Sequence, residues 1–443
     1  MWRYTRPNWG AAKEKRVDMA YPSDEYSMLG IRFRIYEDHR RGPIPRGAAP
    51  PARRGRQGRG GGECGPPSRT PSPTAEKDVM NGTNTPNASA SAHVLTPARI
   101  LDENGMLVGE PPQIEPERQR AMLRLMMLGR RLDQKAISLQ RRGKLGTYPP
   151  LSGQEAAAVG TAYAMDAEVD HFVPQYREQL TMLHWGLPLS TYLLQRMGHP
   201  AGSALPSHGR LWPQQVALGA HLPHAVGLAW GMRLQGKPGV VLTQFGDGAS
   251  NEGDFHEACN IAGVKRAPLV MVCQNNGWAI SIPWHEQSAA ESVALRAAGY
   301  GFPGIAVDGN DVLAVYTAVA DARTRAEAGD GPTLIEARCH RLGAHSTADD
   351  PKRYRPADFD ERAAGVDPIH RFRAYLVGLG QWDDTADANT IAWCDDQIAT
   401  AVAEFDATPP PDPGQMLHHL YAEPDMRLRR QQEELRSSIE ENR

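Results

Sequence analysis

Two short runs of the 443-residue chain bring together residue types able to hold a metal ion and a phosphate. The first is Gly246-Asp247-Gly248-Ala249-Ser250-Asn251-Glu252-Gly253; the second is Gln274-Asn275-Asn276-Gly277-Trp278, with Asn276 placed 29 residues after Asp247. Gly246 and Gly248 permit a tight turn and a close backbone approach. The Asp247 carboxylate, the Asn276 amide oxygen and the Trp278 carbonyl are hard oxygen donors. Such a set suits octahedral Mg2+ that also takes phosphate oxygens from a ligand. Gly-Asp-Gly alone is usually a plain turn. Its pairing with Asn-Asn at this spacing, in a strand-to-strand context, makes the chemical reading the stronger one.

These donors need a scaffold that brings two distant loops together. Short apolar runs at 240–244, 269–273, 304–307 and 333–337 alternate with helical stretches, one of them from about residue 254. That rhythm predicts an α/β fold, a parallel sheet with helices on both faces. A right-handed crossover then sets Asp247 and Asn276 at the carboxyl ends of neighbouring strands, where open α/β sheets bind ligands. Met122, Leu125, Met126, Leu132, Ala136 and Leu139 recur at helical spacing, with Gly143 placed to stop the helix. Ser152 precedes Glu155 by three, a capping-box spacing, ahead of an Ala-rich helix reaching Met165. Asp367 and Pro368 suit the N-cap and first position of a helix to about Val377, and another is expected at 389–405. A Pro-rich break at 409–413 precedes a charged C-terminal helix.

The pairing of Gly-Asp-Gly with Asn-Asn resembles the thiamine-diphosphate motif. The flanking words Asn251-Glu252-Gly253-Asp254-Phe255-His256, Asn276-Gly277-Trp278-Ala279-Ile280-Ser281 and Arg341-Leu342-Gly343-Ala344-His345-Ser346 resemble the α subunit of the decarboxylating component of 2-oxo acid dehydrogenase complexes, most of all the branched-chain (2-oxoisovalerate) type. The resemblance runs from about Pro116 to the C-terminus. It implies a thiamine-diphosphate-binding fold, in which Asp247, Asn276 and the Trp278 carbonyl hold Mg2+ and Gly246, Gly248 and Ala249 line the diphosphate. Gln175-Tyr176-Arg177-Glu178 matches a further motif, with the Arg177 fork gripping phosphate and Tyr176 beside the cofactor. Leu218 and Arg341 join the cofactor set, and His345 sits over the active site as the catalytic histidine. Without the resemblance, Arg177 and Glu178 read as a surface pair and His345 as a structural histidine.

The resemblance further implies oxidative decarboxylation of a branched-chain 2-oxo acid of the 3-methyl-2-oxobutanoate type. The acyl group passes to a lipoyl-bearing acyltransferase component, and the enzyme is a heterotetramer of two α and two β chains. Pyruvate or acetoin dehydrogenase is the near alternative. Thiamine diphosphate carries the carbanion chemistry, so the protein mainly binds, orients and excludes water. The one glutamate required at the aminopyrimidine ring comes from the β subunit; Glu155 reads as structural. Trp278 replaces a usual Tyr, and Gln274 stands where branched-chain members carry Arg. Ala220 and His221 replace the Thr and Gln of a potassium site. Ser346 occupies a position phosphorylated in animal members, although hydrogen bonding to local backbone is the reading favoured here. A different class, a noncatalytic scaffolding subunit with a degenerate fold, conflicts with the intact Asp247, Asn276, Arg177 and His345.

Composition bounds the rest. A net charge of −3 gives no whole-chain support for nucleic-acid binding. Cys64, Cys259, Cys273, Cys339 and Cys394 are scattered without CxxC or zinc-finger spacing, which fits a reducing compartment. A cytoplasmic location is expected, with the mitochondrial matrix as the alternative, and no membrane association. Residues 1–60 carry 14 Lys/Arg against 6 Asp/Glu, and 16 of the 34 residues at 42–75 are Gly or Pro. Such a stretch buries too little surface to offset the cost of ordering it. The expected division is a low-complexity, disordered extension at 1–114, a cofactor-binding α/β domain at 115–408 and a helical segment at 409–443.

Overall fold

The computed structural model describes residues 95–412, 417 and 420–441. The basic start and the Gly/Pro-rich stretch lie outside the described residues. The chain divides into two units. One holds the α/β body up to residue 412. To the other belongs the C-terminal helix α12 (Met426–Glu441), with an Arg430–Glu434 pair along its surface.

The body is built on five parallel strands: β1 (His171–Val173), β2 (Val241–Gly246), β3 (Leu269–Asn275), β6 (Gly304–Asp308) and β7 (Thr333–Arg338). Their order is β1-β2-β3-β7-β6. The two-stranded hairpin β4 (Trp278–Ala279) and β5 (Ile282–Pro283) stands apart from the sheet. The apolar runs read from the sequence fall on β2, β3, β6 and β7. Leu269 to Cys273 has no exposed surface, which explains an unbroken apolar run in place of alternation: both faces are covered.

On one face, α5 (His221–Leu234) and α6 (Gly253–Lys265) pack Leu222, Val226 and Phe255 against Val241, Phe245 and Met271. On the other, α8 (Val312–Glu327) packs Val315 and Val319 against Val270, Val272 and Ile335. The same cluster continues into α1 (Pro116–Arg141), α2 (Glu155–Ala164), α4 (Leu189–Met197) and α11 (Asp384–Ala407). Of the expected positions in α1, Met122, Met126, Leu132, Ala136 and Leu139 are fully buried and Leu125 is half-buried, and Gly143 follows with φ of +71°. Helix α10 (Pro368–Gly378) starts as the sequence predicts: Asp367 Oδ1 accepts the N–H groups of Ile369 and His370.

Two expectations change. Residues 98–114, expected within a disordered extension, pack on the body. Ala98 bridges to Val307 at the open edge of β6, and Asp311 Oδ2 accepts the N–H groups of Ile100 and Leu101, both at 2.7 Å, while its Oδ1 caps α8. Ile100, Leu101 and Ile114 are buried, but they are too sparse to show a period. The second change concerns Ser152, whose hydroxyl donates to Asp133 Oδ2 and caps nothing. Gln154 is the N-cap of α2. Glu155 instead holds Arg130 at 2.5 Å with one oxygen and the Gly153 N–H with the other. Among the described residues no helix is long and apolar enough to cross a membrane.

Candidate functional site

The loops after β1, β2, β3 and β7 meet at the carboxyl end of the sheet around a cavity of about 490 Å3. Register explains the convergence: Gly246 lies opposite Gln274, and Asn275 opposite Arg338, so the segments that follow these residues start side by side. Gln175, Tyr176, Arg177, Leu218, Gly246, Asp247, Gly248, Ala249, Asn276, Trp278 and His345 all line the cavity. Arg341 does not. It is fully buried behind the wall, donating to the Ile280 carbonyl and the Tyr354 hydroxyl.

Asp247 opens a short 3-10 turn directly after β2 and is almost completely buried. Its carboxylate accepts Gln287 Nε2 at 2.9 Å, and burial pushes its pKa up, against the opposing pull of that hydrogen bond and of Arg341. A buried carboxylate held by one side-chain amide and by backbone N–H groups, with no ion-pair partner at contact distance, is a group that a cation completes. Asn276 Oδ1 accepts the Trp278 N–H at 3.2 Å, closing a local turn. The Trp278 ring packs on Tyr354 and Phe359, with centroids 5.3 and 6.4 Å away. The side chain is therefore held by aromatic contact and needs no hydroxyl.

Gly246 has ordinary negative φ, and a Cβ added there would meet no protein atom within 4 Å. Neither backbone nor packing demands glycine, so the open space is room for a ligand. At Gly248 a Cβ would lie 3.0 Å from that of Ala279, a close approach of the two loops. Gln175 Oε1 accepts the Gly246 N–H at 3.2 Å, and its buried Nε2 has no partner. Unpartnered buried donors, a glycine cradle and one buried carboxylate fit a diphosphate with its divalent cation.

Arg177 and Glu178 are not a surface pair. Both are buried, and they form no ion pair with each other. The Arg177 guanidinium donates to the Pro150 carbonyl and to the His345 carbonyl and Nδ1, the last two at 3.0 and 3.2 Å. Glu178 accepts the Arg177 backbone N–H at 2.8 Å, and burial pushes its carboxyl up to about 8 against the pull of backbone N–H groups and of Arg177 and Arg196. It is therefore neutral at pH 7, leaving the charge of Arg177 uncompensated. His345 is pushed down to about 4 by burial and by Arg177 and Arg341. Because arginine only donates, Nδ1 is the acceptor and the neutral ring carries its proton on Nε2.

Several wall residues escaped the sequence reading: Thr147, Pro149, Gln154, Arg196, Val216 and Ile280. They come from loops and helix ends with no periodic signal, and Gln154 stood beside the more conspicuous Glu155. Glu155 itself is not on the wall. His221, buried and pushed down to about 4, donates Nε2–H to the Gln244 carbonyl at 2.9 Å. Ser346 lines the cavity and its hydroxyl accepts the Ala348 N–H, the local backbone bond expected of it.

A family model described as "Dehydrogenase E1 component" matches residues 123–414, which include every residue of the wall. The chain belongs to this family. The pyruvate dehydrogenase E1 component subunit alpha of Bacillus cereus is 42% identical over 314 residues, covering 70% of this chain and 84% of the relative. The protein of the same name from Staphylococcus epidermidis is 40% identical over 338 residues, 76% and 91% of the two chains. That of Staphylococcus aureus is 42% identical over 313 residues, 70% and 84%. The chain is thus an α-type subunit of a thiamine-diphosphate-dependent 2-oxo acid dehydrogenase. Membership implies a β subunit and a lipoyl acyltransferase as partners. The branched-chain likeness of its sequence words finds no counterpart in these relatives, all of which carry the pyruvate name.

Proposed function

We propose that this chain is the α subunit of a pyruvate-type 2-oxo acid dehydrogenase, binding the diphosphate half of thiamine diphosphate with Mg2+ at a site completed by a β chain. The observation that carries the reading is the cavity itself, which Asp247, Asn276, Trp278 and the open cradle of Gly246 line together. When bound, the cofactor supplies the electron sink for decarboxylation. Everything else falls to protein groups.

Asp247, Asn276 and the Trp278 carbonyl would hold the cation, and Gly246, Gly248 and Ala249 would let the backbone approach the diphosphate. Arg177 offers an uncompensated guanidinium to it, because the neighbouring carboxyl of Glu178 is neutral. Neutral His345 keeps Nε2–H as a donor for a ligand or a substrate oxygen, and Arg177 fixes the ring orientation. Val216, Leu218 and Ile280, apolar yet well exposed, rim the cavity and suit a covering partner. The relatives support pyruvate as substrate. The Gly277-Trp278-Ala279-Ile280-Ser281 word supports a branched-chain acid as the second reading.

The test is to purify the chain with its β subunit and measure decarboxylation through an artificial electron acceptor at saturating thiamine diphosphate and Mg2+. The expected outcome is a higher kcat/KM for pyruvate than for 3-methyl-2-oxobutanoate. The reverse preference moves the protein to the branched-chain type with its cofactor residues unchanged. No turnover of either by a cofactor-loaded complex refutes both substrates.

A further inference from the structure

Three side-chain amides on the cavity wall form a chain whose direction is set from one end. The Trp278 backbone N–H can only donate, so the Asn276 atom facing it, at 3.2 Å, is Oδ1. Asn276 Nδ2 is then left to donate, and it reaches Gln154 Oε1 at 2.8 Å. Gln154 in turn donates Nε2 to Gln274 Oε1 at 3.1 Å. Gln274 is left with Nε2, a buried donor with no protein partner, on a residue of the cavity wall. Gln154 and Gln274 are each at most 2% exposed, so water does not scramble the order. Neither residue was assigned a part in the site by the spacing of motifs.

We infer that Gln154 is a positioning residue that relays the direction set at Asn276 to Gln274, so that the Gln274 amide donor faces the anionic oxygens beside the cation that the Asn276 oxygen would hold. This inference rests on the reading of the cavity as a diphosphate site. The physical content is that an amide is polar at both ends. Fixing which end of Gln154 faces Asn276 fixes which end of Gln274 faces the ligand. A hydrocarbon in place of Gln154 leaves Asn276 held by the Trp278 N–H but Gln274 free to rotate by 180°, which turns its oxygen towards the anionic oxygens of the ligand. Gln274 thereby contributes a directed neutral donor at the position where the branched-chain pattern carries a cation.

The experiment is a double-mutant cycle on the assembled complex with the β subunit. Binding of thiamine diphosphate at saturating Mg2+ is measured by calorimetry for the wild type, Gln154→Met, Gln274→Met and the double variant. Losing a directed hydrogen bond to a charged ligand is expected to raise Kd by about tenfold or more in each single variant. The double variant is expected to bind no worse than Gln154→Met, because the second change removes a donor already misdirected. A purely structural role for Gln154 predicts additive losses instead. Wild-type affinity in Gln154→Met, or additive losses in the double variant, overturns the inference while leaving the cofactor reading in place. Absence of binding in the wild-type complex overturns the cofactor reading itself. Should Gln154→Met not assemble, Gln154→Glu takes its place in the same cycle, since it keeps the size and the bond from Asn276 but has no donor for Gln274.

Discussion

Glu178 makes the pH dependence of this protein calculable. Its carboxyl is buried, accepts the Arg177 backbone N–H and is pushed up to about 8, chiefly by desolvation. In the unfolded chain it titrates at about 4.3. The folded state therefore binds the extra proton between those values, and stability falls as pH rises through that window: it is full below about 4 and its loss is complete above about 8. At pH 7 the loss is about 4 kcal/mol, from roughly 1.36 kcal/mol per pH unit. The substitution Glu178→Gln keeps the shape and an acceptor but has no charge to desolvate. We expect the variant to gain roughly 5 °C in Tm at pH 7 over the wild type, taking about 1.4 °C per kcal/mol for a chain of this size, and to match it within about 2 °C at pH 5. Differential scanning fluorimetry of the complex across pH 5–9 measures this directly. Thiamine-diphosphate affinity should be the same in both at pH 7, then fall above pH 8 in the wild type alone as a carboxylate forms beside Arg177. Parallel Tm curves across that range would refute the reasoning, because they would show Glu178 to be charged in the folded state throughout.

Three other perturbations separate ligand binding from folding. Gly246→Ala adds a methyl group that touches no protein atom, so Tm should hold within about 1 °C while thiamine-diphosphate affinity drops at least tenfold in calorimetry. Arg177→Lys keeps the charge but cannot reach the Pro150 carbonyl, the His345 carbonyl and His345 Nδ1 together; a tenfold or greater rise in cofactor Kd is expected, with a pH profile altered through His345. Asp311→Ala strips the acceptor from Ile100, Leu101, Leu313 and Ala314 and should cost about 3 kcal/mol, read as lower Tm and as faster hydrogen exchange at residues 98–101.

Much of the site was legible because chemistry with phosphate and Mg2+ demands particular residue types at particular loop positions. Asp247, Asn276 and the glycines between strands announce themselves by type, and the apolar runs of β2, β3, β6 and β7 by composition. Amphipathic helix α1 announces itself by period. Glu155 illustrates the limit: its spacing from Ser152 matched a local cap, whereas the fold spends its carboxylate on Arg130, a residue 25 positions away. The packing of residues 98–101 was hidden for a similar reason. Ile100 and Leu101 are secured by Asp311, more than two hundred residues further along, and no local pattern encodes that bond.

Residue types and their spacing alone determined the fold class, the family likeness and the candidate phosphate and cation donors. Tertiary structure decided the protonation and direction of those groups. Glu178 is neutral because it is desolvated, His345 because it is half-buried beside two arginine charges, and the Gln274 amide points as it does because the Trp278 backbone N–H sets the order of a chain of hydrogen bonds. Desolvation and hydrogen-bond polarity depend on what surrounds a group in space, and the sequence orders residues along a line.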